Sequence, residues 1–178
     1  MMPGTTHPIV DDLRSAFQQL EGMAVLDEVV LGYLFGSHAR GQAGPLSDID
    51  IAVLLADTVT EASAFEQRLT LMDEISHRLR TNAVDVVVLN HAPLALAYRV
   101  LRDGVLIYCR DELKRIEFTA RTVNMYLDFE PFLKRQERAI LERARKGELL
   151  NGHNPHRGAL ERYRRLRERL KGPAEPDL

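Results

Sequence analysis

Two short stretches of the chain carry side chains of the right types and spacing for chemistry, Gly36-Ser37-His38-Ala39-Arg40-Gly41 and Ser47-Asp48-Ile49-Asp50-Ile51. In the first, a glycine and a serine close the apolar run Val29 to Phe35, and they offer backbone N–H groups and a hydroxyl that suit phosphate oxygens. In the second, two carboxylates stand one residue apart. Successive side chains on a strand point to opposite faces, so Asp48 and Asp50 are expected on one face, where they can share hard, oxygen-preferring cations such as Mg²⁺. A phosphate grip joined to a metal grip suggests a nucleoside triphosphate site. Gly36 and Ser37 are its candidate nucleotide contacts. Arg40 sits where a guanidinium could reach the β- or γ-phosphate, although a solvated surface is the commonest place for an arginine.

Nucleotidyl transfer fits this set. Attack on the α-phosphorus and expulsion of pyrophosphate builds negative charge on the bridging and non-bridging oxygens, and divalent metal stabilises that charge well. Two metals about 3.5 to 4 Å apart need carboxylates close together. Asp48 and Asp50 supply two. The candidate third is Asp85, near the start of the otherwise apolar Val84-Asp85-Val86-Val87-Val88-Leu89. A lone charge in such a strand is costly without compensation, and a cation held jointly with Asp48 and Asp50 would compensate it. His38, His77 and His91 read as surface residues, and His153 and His156 as part of a polar loop with no metal-spaced partner.

Elements must place these groups. Ile9, Leu13, Phe17 and Leu20 recur at helical spacing and predict a first amphipathic helix. Val29 to Phe35 and Ile49 to Leu55 predict strands, with a turn at Gly41 to Pro45 between them. Thr60 is a plausible N-cap for a long helix ending near Arg80, with Phe65, Leu69, Met72, Ile75 and Leu79 along its apolar face. A third strand is expected from Val84 to Leu89, a short helix from Leu94 to Leu101 stopped at Gly104, and a small edge strand from Val105 to Tyr108. Glu112 to about Lys146 reads as helix with Leu113, Ile116, Ala120, Val123 and Leu127 inward, and with a kink or restart at Pro131. A loop from Gly147 to Pro155 precedes a last helix striped by Leu160, Tyr163, Leu166 and Leu170. Three regions result: a catalytic domain at 1–110, a helical region at 111–146 and a basic helical extension at 147–178.

Bulk properties narrow the class. A length of 178 residues suits one core with a helical appendage. The single cysteine cannot form an internal disulfide, and no basic segment followed by an apolar one opens the chain, so a cytoplasmic location is the default expectation. The longest apolar run is too short to cross a bilayer. The formal charge of −2 conceals an asymmetry: residues 1–142 carry 14 Lys and Arg against 21 Asp and Glu, while residues 143–172 carry 10 against 3. Nucleic acid is not expected as the main partner, because the basic stretch lacks interleaved aromatics beyond Tyr163.

At Gly36 to Gly41 and Ser47 to Ile51 the chain resembles the polymerase β nucleotidyltransferase superfamily, and within it the minimal nucleotidyltransferase (MNT) proteins. The similarity runs from about residue 25 to residue 140, taking in Asp85 and the helix Arg121-Thr122-Val123-Asn124-Met125-Tyr126-Leu127-Asp128. The resemblance implies an α+β fold, a small mixed sheet packed by helices, with a helical C-terminal extension. It also implies ATP with Mg²⁺, two ions by the family's chemistry, and transfer of AMP. Many stand-alone members look like the antitoxin half of HEPT–MNT toxin–antitoxin pairs, in which a tyrosine of the helical HEPT-type toxin is adenylylated and the toxin silenced. A small chain without a large acceptor domain agrees with a hydroxyl presented by another protein. Two other readings stand beside this one: nucleotide transfer to a small molecule or an RNA end, and a non-catalytic module that neutralises a toxin by binding. Self-association is open as well, since an apolar stripe on the last helix permits it.

Overall fold

The computed structural model describes residues 8–146. These fall into two compact units that meet in sequence between Phe129 and Glu130, and every candidate site residue belongs to the first. The helix expected around Leu160 to Leu170, and with it the extension at 147–178, lies outside the described residues.

Helix α1 spans Pro8–Leu20 and buries Val10, Leu13, Ala16, Phe17 and Leu20, a stripe spaced by three and four residues. Strand β1 (Val29–Phe35) is followed directly by the single helical turn α2 (Gly36–Ala39), and strand β2 runs from Ile49 to Leu55. Helix α3 (Glu61–Leu79) is capped by Thr60, whose hydroxyl accepts from the Ser63 N–H at 3.3 Å. Strand β3 (Val84–Val88), helix α4 (Leu94–Asp103), strand β4 (Val105–Cys109) and the long helix α5 (Glu112–Arg145) complete the order. The four strands form one mixed sheet in the order β3-β2-β1-β4, with β1 antiparallel to both its neighbours and β2 parallel to β3. A mixed α+β fold of helices on a small sheet is what the sequence suggests.

Helices cover both faces of the sheet. Ile49, Ile51, Val53 and Leu55 of β2 join Val84 and Val86 of β3 in a core with Leu13, Phe17, Leu71 and Ile75 from α1 and α3. Ala52 and Leu54 point the other way, into a second cluster with Tyr33, Ala97, Val100 and Phe118. By the same alternation Asp50 and Asp85 belong to this second face.

Two helix faces differ from expectation. In α3 the buried residues are Ala64, Leu71 and Ile75, while Phe65 is 57% exposed and Leu69 is exposed too. The stripe against the sheet passes through a small alanine, which permits close approach, and through Leu71, while Met72, Ile75 and Leu79 pack on the core as expected. In α5 the inward residues are Phe118 and Thr122; Val123 is half-buried, whereas Leu113, at 78%, together with Ile116, Ala120 and Leu127, is exposed. The regular apolar spacing there marks an outer face. Pro131 lies inside the range of α5 and does not end it. Arg80 caps α3 in a left-handed conformation at φ 54°.

Candidate active site

The candidate residues converge where β1 ends and β2 and β3 begin. Asp50 is the second residue of β2 and pairs in register with Phe35 of β1 on one side and Asp85 of β3 on the other. Gly36, next after Phe35, takes φ +73°, and a Cβ built on it would stand 1.9 Å from Asp50 Oδ2. The Asp50 carboxylate therefore occupies the space that any other residue at position 36 would fill. Glycine is required here on two counts, its backbone angle and this contact. The two sequence stretches become one site through it.

Ser37 is partly buried in α2, whose first N–H groups have no partner inside the turn, as in any helical start. Arg40 ends this turn, is exposed, and has its Nε donating to Gln42 Oε1 at 3.2 Å. The loop after it is held by several bonds: the Gln42 N–H donates to the Ser37 carbonyl at 2.9 Å, the Gly44 N–H to Ser47 Oγ at 2.9 Å, and His38 Nε2 lies 3.3 Å from the Ser47 carbonyl. His38, expected as a solvent-facing residue, is thus a partly buried brace for the approach to Asp48. Asp48 itself is exposed and immediately precedes β2, and the Ile49 N–H after it donates to the Ala83 carbonyl at 2.8 Å.

Electrostatics couple the three carboxylates. Burial pushes the Asp50 carboxyl above the ordinary range, and the neighbouring Asp85 and Asp48 push it further, with His38 and Arg40 acting the other way. This is where a divalent cation would relieve repulsion, and an all-oxygen donor set is what Mg²⁺ prefers. The residues present fit such an ion. Among the described residues, no three His, Cys, Asp or Glu side chains already stand as a metal-holding group. Asp85, near the edge of the sheet, already has a positive partner: Arg68 of α3 places Nη2 3.0 Å from Asp85 Oδ1, and its Nε donates to the Val86 carbonyl. Arg68 carries no motif signal and sequence reasoning passes over it. A polar cavity of about 270 Å³ lined by Asn90, His91, Lys114 and Arg121 lies beyond the far end of β2, and none of the candidate carboxylates lines it.

A mixed sheet with a glycine–serine turn beside paired aspartates is an arrangement that a nucleotidyltransferase could use. The sequence pattern of the family described as polymerase beta, nucleotidyltransferase matches residues 18–113, and the chain belongs to that family. It is 31% identical over 117 residues to the protein adenylyltransferase MntA of Shewanella oneidensis, a match that covers 66% of this chain and 77% of that protein. Among solved structures it is similar to a chain of a toxin–antitoxin crystal structure with AMP-PNP, at 27% identity and a TM-score of 0.52, covering 75% of this chain and 95% of the other. A second similar structure is the tri-AMPylated Shewanella oneidensis HEPN toxin in complex with its MNT antitoxin, at 26% identity and a TM-score of 0.52, covering 75% and 96%. No described helix is long and apolar enough to cross a membrane.

Proposed function

We propose that the chain is a metal-dependent adenylyltransferase that moves AMP from ATP to a hydroxyl, a tyrosine in our reading, of a HEPN-type toxin protein, and that it acts as the antitoxin to that partner. The observation that carries the chemistry is the seating of the Asp50 carboxylate against the Cα of Gly36, in register with Asp85. It sets acidic ligands beside a phosphate-binding turn. The acceptor follows from likeness to a protein adenylyltransferase and to an AMPylated toxin complex.

In this reading Gly36 and Ser37 hold the triphosphate, with Arg40 at its outer end, and Asp48, Asp50 and Asp85 are the metal ligands. Mg²⁺, two ions in our reading, neutralises charge on the α-phosphate and the departing pyrophosphate when bound. The acceptor oxygen forms a bond to the α-phosphorus, the bond from that phosphorus to the α–β bridging oxygen breaks, and pyrophosphate leaves with the electron pair. The hydroxyl proton passes to the Asp85 carboxylate as general base. The open, exposed setting of Asp48 leaves room for a folded protein to present its hydroxyl.

The test mixes the protein with ATP, Mg²⁺ and the helical protein encoded beside it, and weighs the intact partner. A gain of one or more AMP units, lost when Asp50 is replaced by Asn, is the expected result. A partner of unchanged mass across Mg²⁺ and Mn²⁺ would sink the proposal.

A further inference from the structure

Arg68 reaches Asp85 from the other side of the sheet. Arg68 belongs to α3, which packs on the face of the sheet made by Ile51, Val53 and Val86, whereas Asp85 belongs by alternation to the opposite face. β3 is an edge strand, so a long side chain from α3 can pass around it. The guanidinium does so and binds at two points, Nε on the Val86 carbonyl and Nη2 on Asp85 Oδ1 at 3.0 Å. Because the guanidinium is planar and its donors are fixed relative to one another, the backbone bond sets the direction of the second.

Resting on the metal reading above, we infer that Arg68 is a positioning residue: it pairs with Asp85 and competes with a divalent ion for that carboxylate. Three carboxylates around the head of β2 repel one another, and the positive charge beside Asp85 offsets part of that repulsion before metal arrives. The pair is half exposed, with side-chain accessibilities of 37% and 49%, so its hold is weak and a divalent ion competes with it successfully. Oδ1 is engaged by Arg68 and must be released or shared as the ligand set closes. Arg68 thereby sets the metal concentration at which the site assembles. A plain staple between α3 and the sheet edge would have no such effect.

Mn²⁺ uptake by the full chain with AMP-PNP present, followed by the loss of the free-ion paramagnetic resonance signal, separates these roles. Removing the competing cation in Arg68→Met is expected to lower the half-saturating Mn²⁺ concentration roughly fivefold, the size of an exposed ion pair of ~1 kcal/mol. Arg68→Lys keeps the charge but loses the planar fork that fixes the two bonds relative to one another, and falls between. In an Asp85→Asn background the Arg68→Met effect should vanish. Unchanged or weaker Mn²⁺ uptake by a natively folded Arg68→Met chain overturns the inference, as does an equal shift in the Asp85→Asn background. A wild-type chain that takes up no Mn²⁺ overturns the metal reading and the inference with it. Mn²⁺ uptake that responds as expected upholds the inference even where no AMP reaches the partner.

Discussion

The two ends of β2 are made from similar polar groups and treated in opposite ways. At the far end, the Asn90 side chain clamps the last residue of the strand: its Oδ1 accepts from the Leu55 N–H at 2.9 Å and its Nδ2 donates to the Leu55 carbonyl at 2.9 Å. A side chain continues the ladder where β3 has stopped, and backbone groups are satisfied on both sides. At the near end, three carboxylates stand around the same strand, and the Asp50 carboxyl is raised above its ordinary value by burial and by its acidic neighbours. One end is built for stability and the other stores repulsion that a divalent cation would relieve. The contrast teaches where each kind of substitution should be felt.

The strongest way to break this contrast is to neutralise the near end. Asp50→Asn keeps shape and removes charge, and on the proposed chemistry transfer should fall by on the order of a thousandfold or more while partner binding survives. Intact-mass kinetics with a pull-down on the same sample measures both. Transfer at the wild-type rate would remove Asp50 from the metal set. Gly36→Ala is expected next, because its methyl would collide with Asp50 Oδ2 and its backbone would be strained at φ +73°. A loss of about a hundredfold in transfer is expected, with a small fall in Tm, since misplacing a reacting group by about an ångström costs that much.

Asn90→Ala sharpens the other side of the comparison. It leaves the Leu55 N–H and carbonyl without these partners, and a cost of about 1–3 kcal/mol in chemical denaturation is expected. Turnover per folded molecule should stay within about twofold, because the clamp is remote from the carboxylates and substitutions at well-separated sites act nearly independently. A selective loss of turnover in Asn90→Ala would show that the ends are coupled and that the division of labour fails.

How much of this was legible beforehand follows the range over which each feature is determined. The strands at Val29 to Phe35 and Ile49 to Leu55, the Thr60 cap and the stop at Gly104 are set by local apolar runs and by turn and capping chemistry, and the structure has them where the sequence suggests. The meeting of Gly36 with Asp50 was legible because the short connection from β1 to β2 leaves few other arrangements, and Asp85 was marked by its charge in an apolar strand, although its seat beside Asp50 depends on the pairing of β3 with β2. Which face of a helix points inward was not, since Phe65, Leu113 and Ile116 are large apolar residues on outer faces, and a spacing rule reads the pattern without knowing its side. Arg68 was hidden for a different reason. Its role depends on β3 lying at the sheet edge, and strand order is a property of the whole fold. His38 was hidden because its partner, the Ser47 carbonyl, is a backbone group without a side-chain signature.

The smallest effect tests the stored repulsion directly, through pH. In the folded chain the Asp50 carboxyl is raised above its ordinary value of 3.8, by burial first and by Asp85 and Asp48 after it. The folded state therefore keeps this proton at a pH where the unfolded chain has lost it. Between the ordinary and the raised value the folded state binds more protons, so this group's contribution to stability falls as pH rises through that window, and its full cost is present above it. Acids such as Asp103 and Glu112, held low by Arg102 and Arg115, work in the opposite direction, so the raw melting curve of the wild type mixes the two. The difference between wild type and Asp50→Asn isolates the single group. Melting measured against pH in a chelating buffer should show Asp50→Asn above wild type at neutral pH, with the gap closing as the buffer is taken down through the carboxylate range. Saturating Mg²⁺ with AMP-PNP should reverse the order, because the ligands stabilise the wild type and reach the variant poorly. An Asp50→Asn chain that melts below wild type at neutral pH without metal would mean that the near end holds no repulsion to relieve, and the contrast between the two ends of β2 would be lost.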